Sequence, residues 1–379
     1  MKKQFWCMTA IIGAGLGSAP LHAQEVVKIG HVAALTGPVA HFGKDSENGA
    51  RMAIDALNAR GATVGGKKVK WQLVTEDDAG DPKQATTAAQ KLADAKVNAV
   101  IGHETSGTTI PASKIYHDAG IPQITPSSTN PKYTQQGFNT AFRVVANDVQ
   151  LGRALGRYAV KDMGAKRIAV VDDRTAYGQG LVTEFTNGLR QQNANVVARE
   201  FTNDKATDFA AILTRIRASN PDLVFFGGMN AVAGPMLRQM KQLGIRARMM
   251  GGDGICSDEI HKLSGGTMAD GDVICAEAGG VEAAGKPGMD KFRAEYRKRY
   301  GIDVQIIAPY SYDAVLAIAA AMDKAKSAQP AQYLPALAAI QYKGVTGNIA
   351  FDARGDMKDA VLTLYTFKGG HRTELAVTK

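Results

Sequence analysis

The chain has 379 residues, a formal net charge of +9 at neutral pH and 45% hydrophobic residues. Lys and Arg are interspersed with Asp and Glu along helical stretches such as DKFRAEYRKRYGID (290–303), and no long basic tract occurs. That pattern reads as solvated helix faces rather than a nucleic-acid arm, so no nucleic acid is expected as a partner.

Lys2 and Lys3, an apolar stretch from Phe5 to Leu16 and the small-residue junction Leu21-His22-Ala23 have the layout of a secretory signal, with cleavage expected near Ala23. The stretch is too short and too glycine-rich to span a bilayer. Cys7 sits at the wrong end of it to be a lipidated cysteine. Taking residues 1–24 as the signal leaves 355 residues and lowers the net charge to +7, since Lys2 and Lys3 go with it. A chain of that size exceeds one hydrophobic core, so two lobes are expected. Cys256 and Cys275 remain; in an oxidising compartment a disulfide is the favoured reading, with two separate buried thiols as the other.

Short apolar runs then alternate with amphipathic stretches. VVKIGHVA (26–33) reads as a strand and NGARMAIDALNARG (48–61) as a helix stopped by Gly61. KVKWQLVTEDD (68–78) is a strand, PKQATTAAQKLADAK (82–96) a helix, and VNAVIG (97–102) and IPQIT (121–125) are further strands. The pattern restarts with a helix at 148–163, RIAVV (167–171), a helix at 178–192, NVVAREF (195–201), a helix at 208–219, DLVFFGG (222–228) and a helix at 232–243. This alternation predicts the α/β class, with two doubly wound parallel-sheet lobes. Ligands of such sheets bind beyond the carboxyl ends of the strands, which here means the cleft between lobes.

Reactive motifs are sparse. GAGLG (13–17) follows no strand and lies in the signal segment. The acids Glu76, Asp77, Asp78 and Asp81 lack the glycine and terminal glutamate of a calcium loop, and Asp81 before Pro82 reads as a helix cap. His103, Glu104 and Ser106 could suggest a nucleophile set, but neighbouring side chains on an extended segment point apart. The stronger signal is polar without being reactive. VIGHETSGTT (100–109) is a strand end opening a helix through Thr105, Ser106, Thr108 and Thr109, which suits a carboxylate. ITPSSTNP (124–131) exposes Ser127, Ser128 and Thr129 at a second strand end. Tyr177, the GGMN turn (227–230) and Asp253 within GGDG (251–254) face them from the second half. Asp253 can pair with an ammonium or simply make a turn, and local sequence does not separate the two.

At these segments the chain resembles the periplasmic Leu/Ile/Val-binding proteins of branched-chain amino acid ABC transporters. LTGPVAHFG (35–43), EDDAGDPKQA (76–85), PASKIY (111–116), ITPSSTNP, YGQGL (177–181) and FDARGDMK (351–358) match in order over nearly the whole mature chain. The resemblance implies a type I binding protein with three hinge crossovers and an amino acid enclosed by lobe closure. It implies an N-terminal lobe of 25–146 and 277–360 and a C-terminal lobe of 147–276 and 361–379. Ser106 and Thr129 would hold the α-carboxylate and α-ammonium with backbone groups near Ser127, Asp253 would stand for the family's ammonium-pairing glutamate, and Phe42 and Tyr177 would line the side-chain region. Met229 stands where an aromatic is common, Phe42 replaces a tyrosine, and Glu104 replaces an apolar residue, offering a partner to a polar or cationic side chain. Gly80 and Thr105 occupy the places of a frequent first-lobe disulfide.

The implied function is a periplasmic carrier, a monomer without cofactor or metal, that passes a leucine-like amino acid to an inner-membrane permease. An exported hydrolase using Ser106 or a distant nucleophile is the reading from another class, and a ligand sensor with the same lobes is a third.

Overall fold

The computed structural model describes Met1 and residues 24–281 and 285–378. The predicted signal segment, apart from its two end residues, lies outside the described residues. The first sheet is built from β1 (Glu25–Ala33), β2 (Thr63–Val64), β3 (Lys67–Asp77), β4 (Ala99–Gly102), β5 (Gln123–Thr125) and β6 (Ala141–Arg143). Its order is β2-β3-β1-β4-β5-β6, parallel except for the short β2. Helices α1 (Ala40–Ala59), α2 (Pro82–Asp94) and α3 (Ser106–Asp118) make the crossovers, and a single turn, α4 (Lys132–Gln135), follows. Val27, Ile29, Val100 and Ile101 are fully buried, as expected of strands covered on both faces. Asp81 caps α2 by accepting from the N–H groups of Lys83 (2.9 Å) and Gln84 (3.0 Å), with Pro82 where a missing N–H costs nothing.

The chain crosses at 144–147 to α5 (Asp148–Lys161) and the second sheet. There β7 (Ile168–Asp172), β8 (Val196–Phe201), β9 (Leu223–Gly227), β10 (Arg248–Gly251) and β11 (Val273–Glu277) pair in parallel. They are linked by α6 (Ala176–Arg190), α7 (Ala210–Ala218), α8 (Asn230–Gln242) and the short α9 (Glu259–Leu263). The chain then returns through α10 (Lys286–Tyr300), α11 (Ala308–Ala325) and α12 (Pro330–Ala338), with α11 packed on α1, and through the hairpin β12 (Tyr342–Gly344) and β13 (Gly347–Ile349). A third crossing leads to β14 (Leu362–Lys368) and β15 (His371–Thr378), which extend the second sheet to the order β15-β14-β11-β10-β9-β7-β8. Both added strands are antiparallel, so this sheet is mixed rather than purely parallel.

One local difference from the sequence reading has a physical cause. Helix α1 begins at Ala40, eight residues before the predicted start at Asn48. Its first half carries Gly43, Ser46 and Gly49, poor helix formers whose small size is spent on packing. A Cβ at Gly49 would lie 2.0 Å from the Ala308 carbonyl oxygen, so only glycine lets α1 approach the start of α11. Tertiary contact overrides propensity there.

Cys256 and Cys275 form a disulfide, with Cα atoms 5.3 Å apart. It ties the turn after β10 to the middle of β11, where Cys275 lies opposite Gly251. Peptide mapping of exported protein without reduction is expected to recover one cross-linked 256–275 pair. Reduction is expected to cost about 3 kcal/mol of stability by freeing the unfolded chain, and recovery of both thiols free would contradict the bond.

Candidate functional site

The strand ends of both sheets point into one cavity between the lobes. Its walls are Phe42, Glu104, Thr105, Ser106, Pro126, Ser127, Ser128 and Val145 together with Tyr177, Met229, Asp253, Gly254, Glu277, Ala278, Ile306, Ile307 and Tyr310. The lobes touch directly across it. Asn130 Nδ2 donates to the Ala176 carbonyl (2.6 Å), and Asn230 Nδ2 meets His41 Nε2 at 3.1 Å. The cleft is therefore closed.

On the first lobe, β4 ends and α3 begins at Ser106, whose first-turn N–H groups have no partner within the helix. The Ser106 Oγ accepts from Ser128 Oγ and from the Asn130 N–H, both at 3.2 Å, which leaves its own proton free to donate. Ser127 turns its hydroxyl onto the Glu104 carbonyl (2.8 Å). The Ser128 N–H is taken by Thr125 Oγ1 at 3.0 Å, so the free donors come from α3 more than from the Ser127 turn. That turn is held from behind by the buried Arg143, which donates to the carbonyls of Ser128 (2.5 Å) and Asn130 (3.1 Å) and to Asp356 (2.8 Å). Asp356 belongs to FDARGDMK, so this motif serves the site by anchoring the arginine that shapes it.

On the second lobe Asp253 opens a short 3-10 turn after β10. Its Oδ1 accepts from the Tyr177 hydroxyl (3.0 Å), which in turn accepts from the Gly254 N–H (3.0 Å). A Cβ at Gly254 would come within 2.7 Å of the Gly228 carbonyl and 2.8 Å of Met229 sulfur, so the glycine permits the close fit. Burial, opposed by the Tyr177 hydrogen bond, pushes the Asp253 carboxyl up to about 7. Part of its surface still faces the cavity, although protein surrounds it.

Eight of the nine predicted residues, Phe42, Glu104, Thr105, Ser106, Ser127, Tyr177, Met229 and Asp253, line this cavity. Thr129 does not. It is fully buried behind the wall, where its carbonyl accepts from the Asp148 N–H (2.8 Å). Its hydroxyl faces the Asp148 carboxyl from just outside hydrogen-bond geometry. Burial pushes that carboxyl up to about 8. Through its carbonyl Thr129 thus holds the start of α5.

Sequence reasoning missed Glu277, Ile306, Ile307 and Tyr310. Glu277 is the last residue of β11, a strand end that the same carboxyl-end rule would have found. The other three come from the start of α11 and the loop before it, for which no local signal exists. Tyr310 donates to Glu277 at 2.9 Å.

The His103 ring does not serve Ser106 as a base. His103 Nδ1 is 2.7 Å from Asp78 and its Nε2 3.0 Å from the Tyr116 hydroxyl, all buried, so the ring is spent on structure and does not reach Ser106. Asp77 receives the Leu35 and Ala79 N–H groups, and Asp78 receives Gly80. Their role is to brace loops.

The family model described as periplasmic binding protein matches residues 26–371. An amino acid binding protein of Pseudomonas aeruginosa is 37% identical over 91% of each chain, and the leucine-specific-binding protein of Salmonella typhimurium is 35% identical over 88% of each. Among solved structures, the branched-chain amino acid transporter substrate binding protein of Streptococcus pneumoniae, in complex with isoleucine, superposes with a TM-score of 0.83 at 26% identity, covering 93% of this chain and 99% of that one. With two doubly wound lobes closed on one cavity over the full matched length, the chain belongs to the periplasmic binding protein family, in the group that holds the Leu/Ile/Val-binding proteins.

Proposed function

We propose that this chain is an exported periplasmic carrier. It binds one α-amino acid between its lobes, with leucine, isoleucine and valine as the ligand class, and passes it unchanged to an inner-membrane ABC permease. It acts as a monomer and performs no chemistry on its cargo. The observation that carries this reading is the pairing of unlike polar ends across the cavity. Neutral donors at the start of α3 suit an α-carboxylate, and Asp253 with Tyr177 suits an α-ammonium. Phe42, Met229, Ile306 and Ile307 supply apolar wall for an aliphatic side chain.

Native mass spectrometry of the purified protein tests it. A retained amino acid of unchanged mass is expected, and a hydrolysed product or a cargo without an α-amino acid core overturns the reading.

Because the two polar ends stand on different lobes, a ligand touching both stabilises only the closed form. Small-angle scattering of ligand-stripped protein is expected to show compaction when leucine is added to saturation. A radius of gyration that stays constant while calorimetry reports binding would refute closure as the binding step.

A further inference from the structure

Glu104 is the feature of the cavity that an aliphatic ligand leaves unexplained. It lies in the turn between β4 and α3, 5% exposed, in the cavity wall. Neither carboxyl oxygen has a hydrogen-bond partner among the described residues. The Ala34 backbone N–H lies near enough to favour the charged form, without reaching hydrogen-bond geometry. The other carboxylates of the cavity wall and the two acids nearest Glu104 are served, whereas Asp148, behind the wall, is also without a hydrogen-bond partner among the described residues. Asp78 has His103 and the Gly80 N–H, and Asp45 has four backbone N–H groups. Glu277 has the Tyr310 hydroxyl and Arg372 at 3.7 Å, and Asp253 has Tyr177.

Among the described residues lining the cavity there are three carboxylates and no Lys, Arg or His. The single ammonium of an aliphatic amino acid answers Asp253 and leaves Glu104 a buried acid with nothing to bond. A carboxylate is an acceptor only, with room for two donors, and a terminal ammonium or guanidinium supplies two or more. The stem of such a side chain is apolar and fits walls such as Phe42, Met229, Ile306 and Ile307.

Resting on the amino-acid reading above, we propose that Glu104 extends the ligand range beyond aliphatic side chains to amino acids whose side chain ends in a cationic nitrogen. Glu104 determines specificity for that cation. In the empty closed cavity burial, reinforced by Asp78 and Asp45, holds its carboxyl well above the usual range. Burial there disfavours the charged carboxylate, and an entering cation favours it. Where Glu104 stays protonated beside leucine, binding of a basic amino acid releases more protons than binding of leucine. The ratio of basic to leucine affinity rises with pH, by up to about tenfold per unit while Glu104 is protonated in the leucine complex and ionised in the basic one. Asp253, Glu277, Tyr177 and Tyr310 line the cavity for both ligands alike, and Asp148 lies behind the wall for both, so they cancel in the ratio.

The test is calorimetry on the ligand-stripped chain with L-lysine, L-ornithine, L-arginine and L-leucine, for the parent, Glu104→Gln and Glu104→Leu. At least one basic amino acid is expected to bind the parent within tenfold of leucine. Both variants should lose tenfold or more for that ligand relative to leucine, and the pH dependence of the ratio should vanish. Leucine binding with no basic amino acid bound overturns the inference and leaves the carrier reading standing. So does basic binding that neither variant weakens. Failure of all four ligands to bind overturns the carrier reading and the inference with it. Circular dichroism on each variant confirms folding, and Glu104→Gln, nearly isosteric, keeps the test decisive if Glu104→Leu does not fold.

Discussion

Asp253→Asn is expected to weaken amino-acid binding by about 2–5 kcal/mol, more than any other single polar change in the cavity. An α-ammonium entering a closed cleft loses its water, and without a counter-charge the desolvation cost stands. Asn keeps the size of the side chain and can still accept from Tyr177, so the loss reports charge rather than collapse of the turn. Ser106→Ala removes one donor among several near the start of α3 and is expected to cost less, about 1.5–3 kcal/mol. The carboxyl pushed up to about 7 adds a second signature. An ammonium favours the ionised form, so the bound state carries fewer protons than the free one below that pH. Affinity should then fall as pH drops through the Asp253 pKa of the ligand-free protein, by up to about tenfold per unit, and in Asp253→Asn the slope should disappear. Calorimetry on both variants from pH 5 to 8 decides it. An Asp253→Asn protein that binds as the parent does, with the same pH profile, would reduce Asp253 to a turn residue.

Asp45→Ala is expected to be the most destabilising change around the site, by about 3–5 kcal/mol. The side chain, 1% exposed on α1, accepts from four consecutive N–H groups: Gln305 (3.1 Å), Ile306 (3.0 Å), Ile307 (2.7 Å) and Ala308 (2.9 Å). These include donors at the start of α11 that no helical carbonyl can reach. Removing the carboxylate leaves buried donors unpaired and releases Ile306 and Ile307 from the cavity wall. Thermal unfolding should show a fall in midpoint on the order of 10 °C. Asp45→Asn, which keeps one acceptor oxygen, should fall less. A parent-like midpoint for Asp45→Ala would mean that water or a backbone shift replaces the carboxylate.

The position of Asp45 shows why part of the site was illegible in the sequence. Glu104, Ser106, Tyr177 and Asp253 were found because each stands at a strand end or helix start, where backbone geometry alone dictates which way the residue faces. Ile306, Ile307 and Tyr310 reach the cavity only because α11 returns, more than 160 residues after the first lobe is otherwise complete, and is pinned to α1 through Asp45 and Gly49. No local pattern encodes a contact of that separation. Thr129 lies outside the cavity lining for a related reason. It shares the hydroxyl-rich turn of Ser127 and Ser128, but the Arg143 anchor curls that turn so that Thr129 faces Asp148 behind the wall.

The sequence by itself determined the α/β class, the two-lobed plan, the first-lobe strand order's alternation with helices and the polar character of one cleft. All of these follow from periodicity, capping and chain length, which act over a few residues. Only the tertiary structure decided which hydroxyls donate, where α1 begins, that the last two strands run antiparallel, and that Glu104 stands unpartnered in a cavity lined by acids. Those outcomes depend on groups brought together from distant segments, where burial removes the water that would otherwise have satisfied each of them.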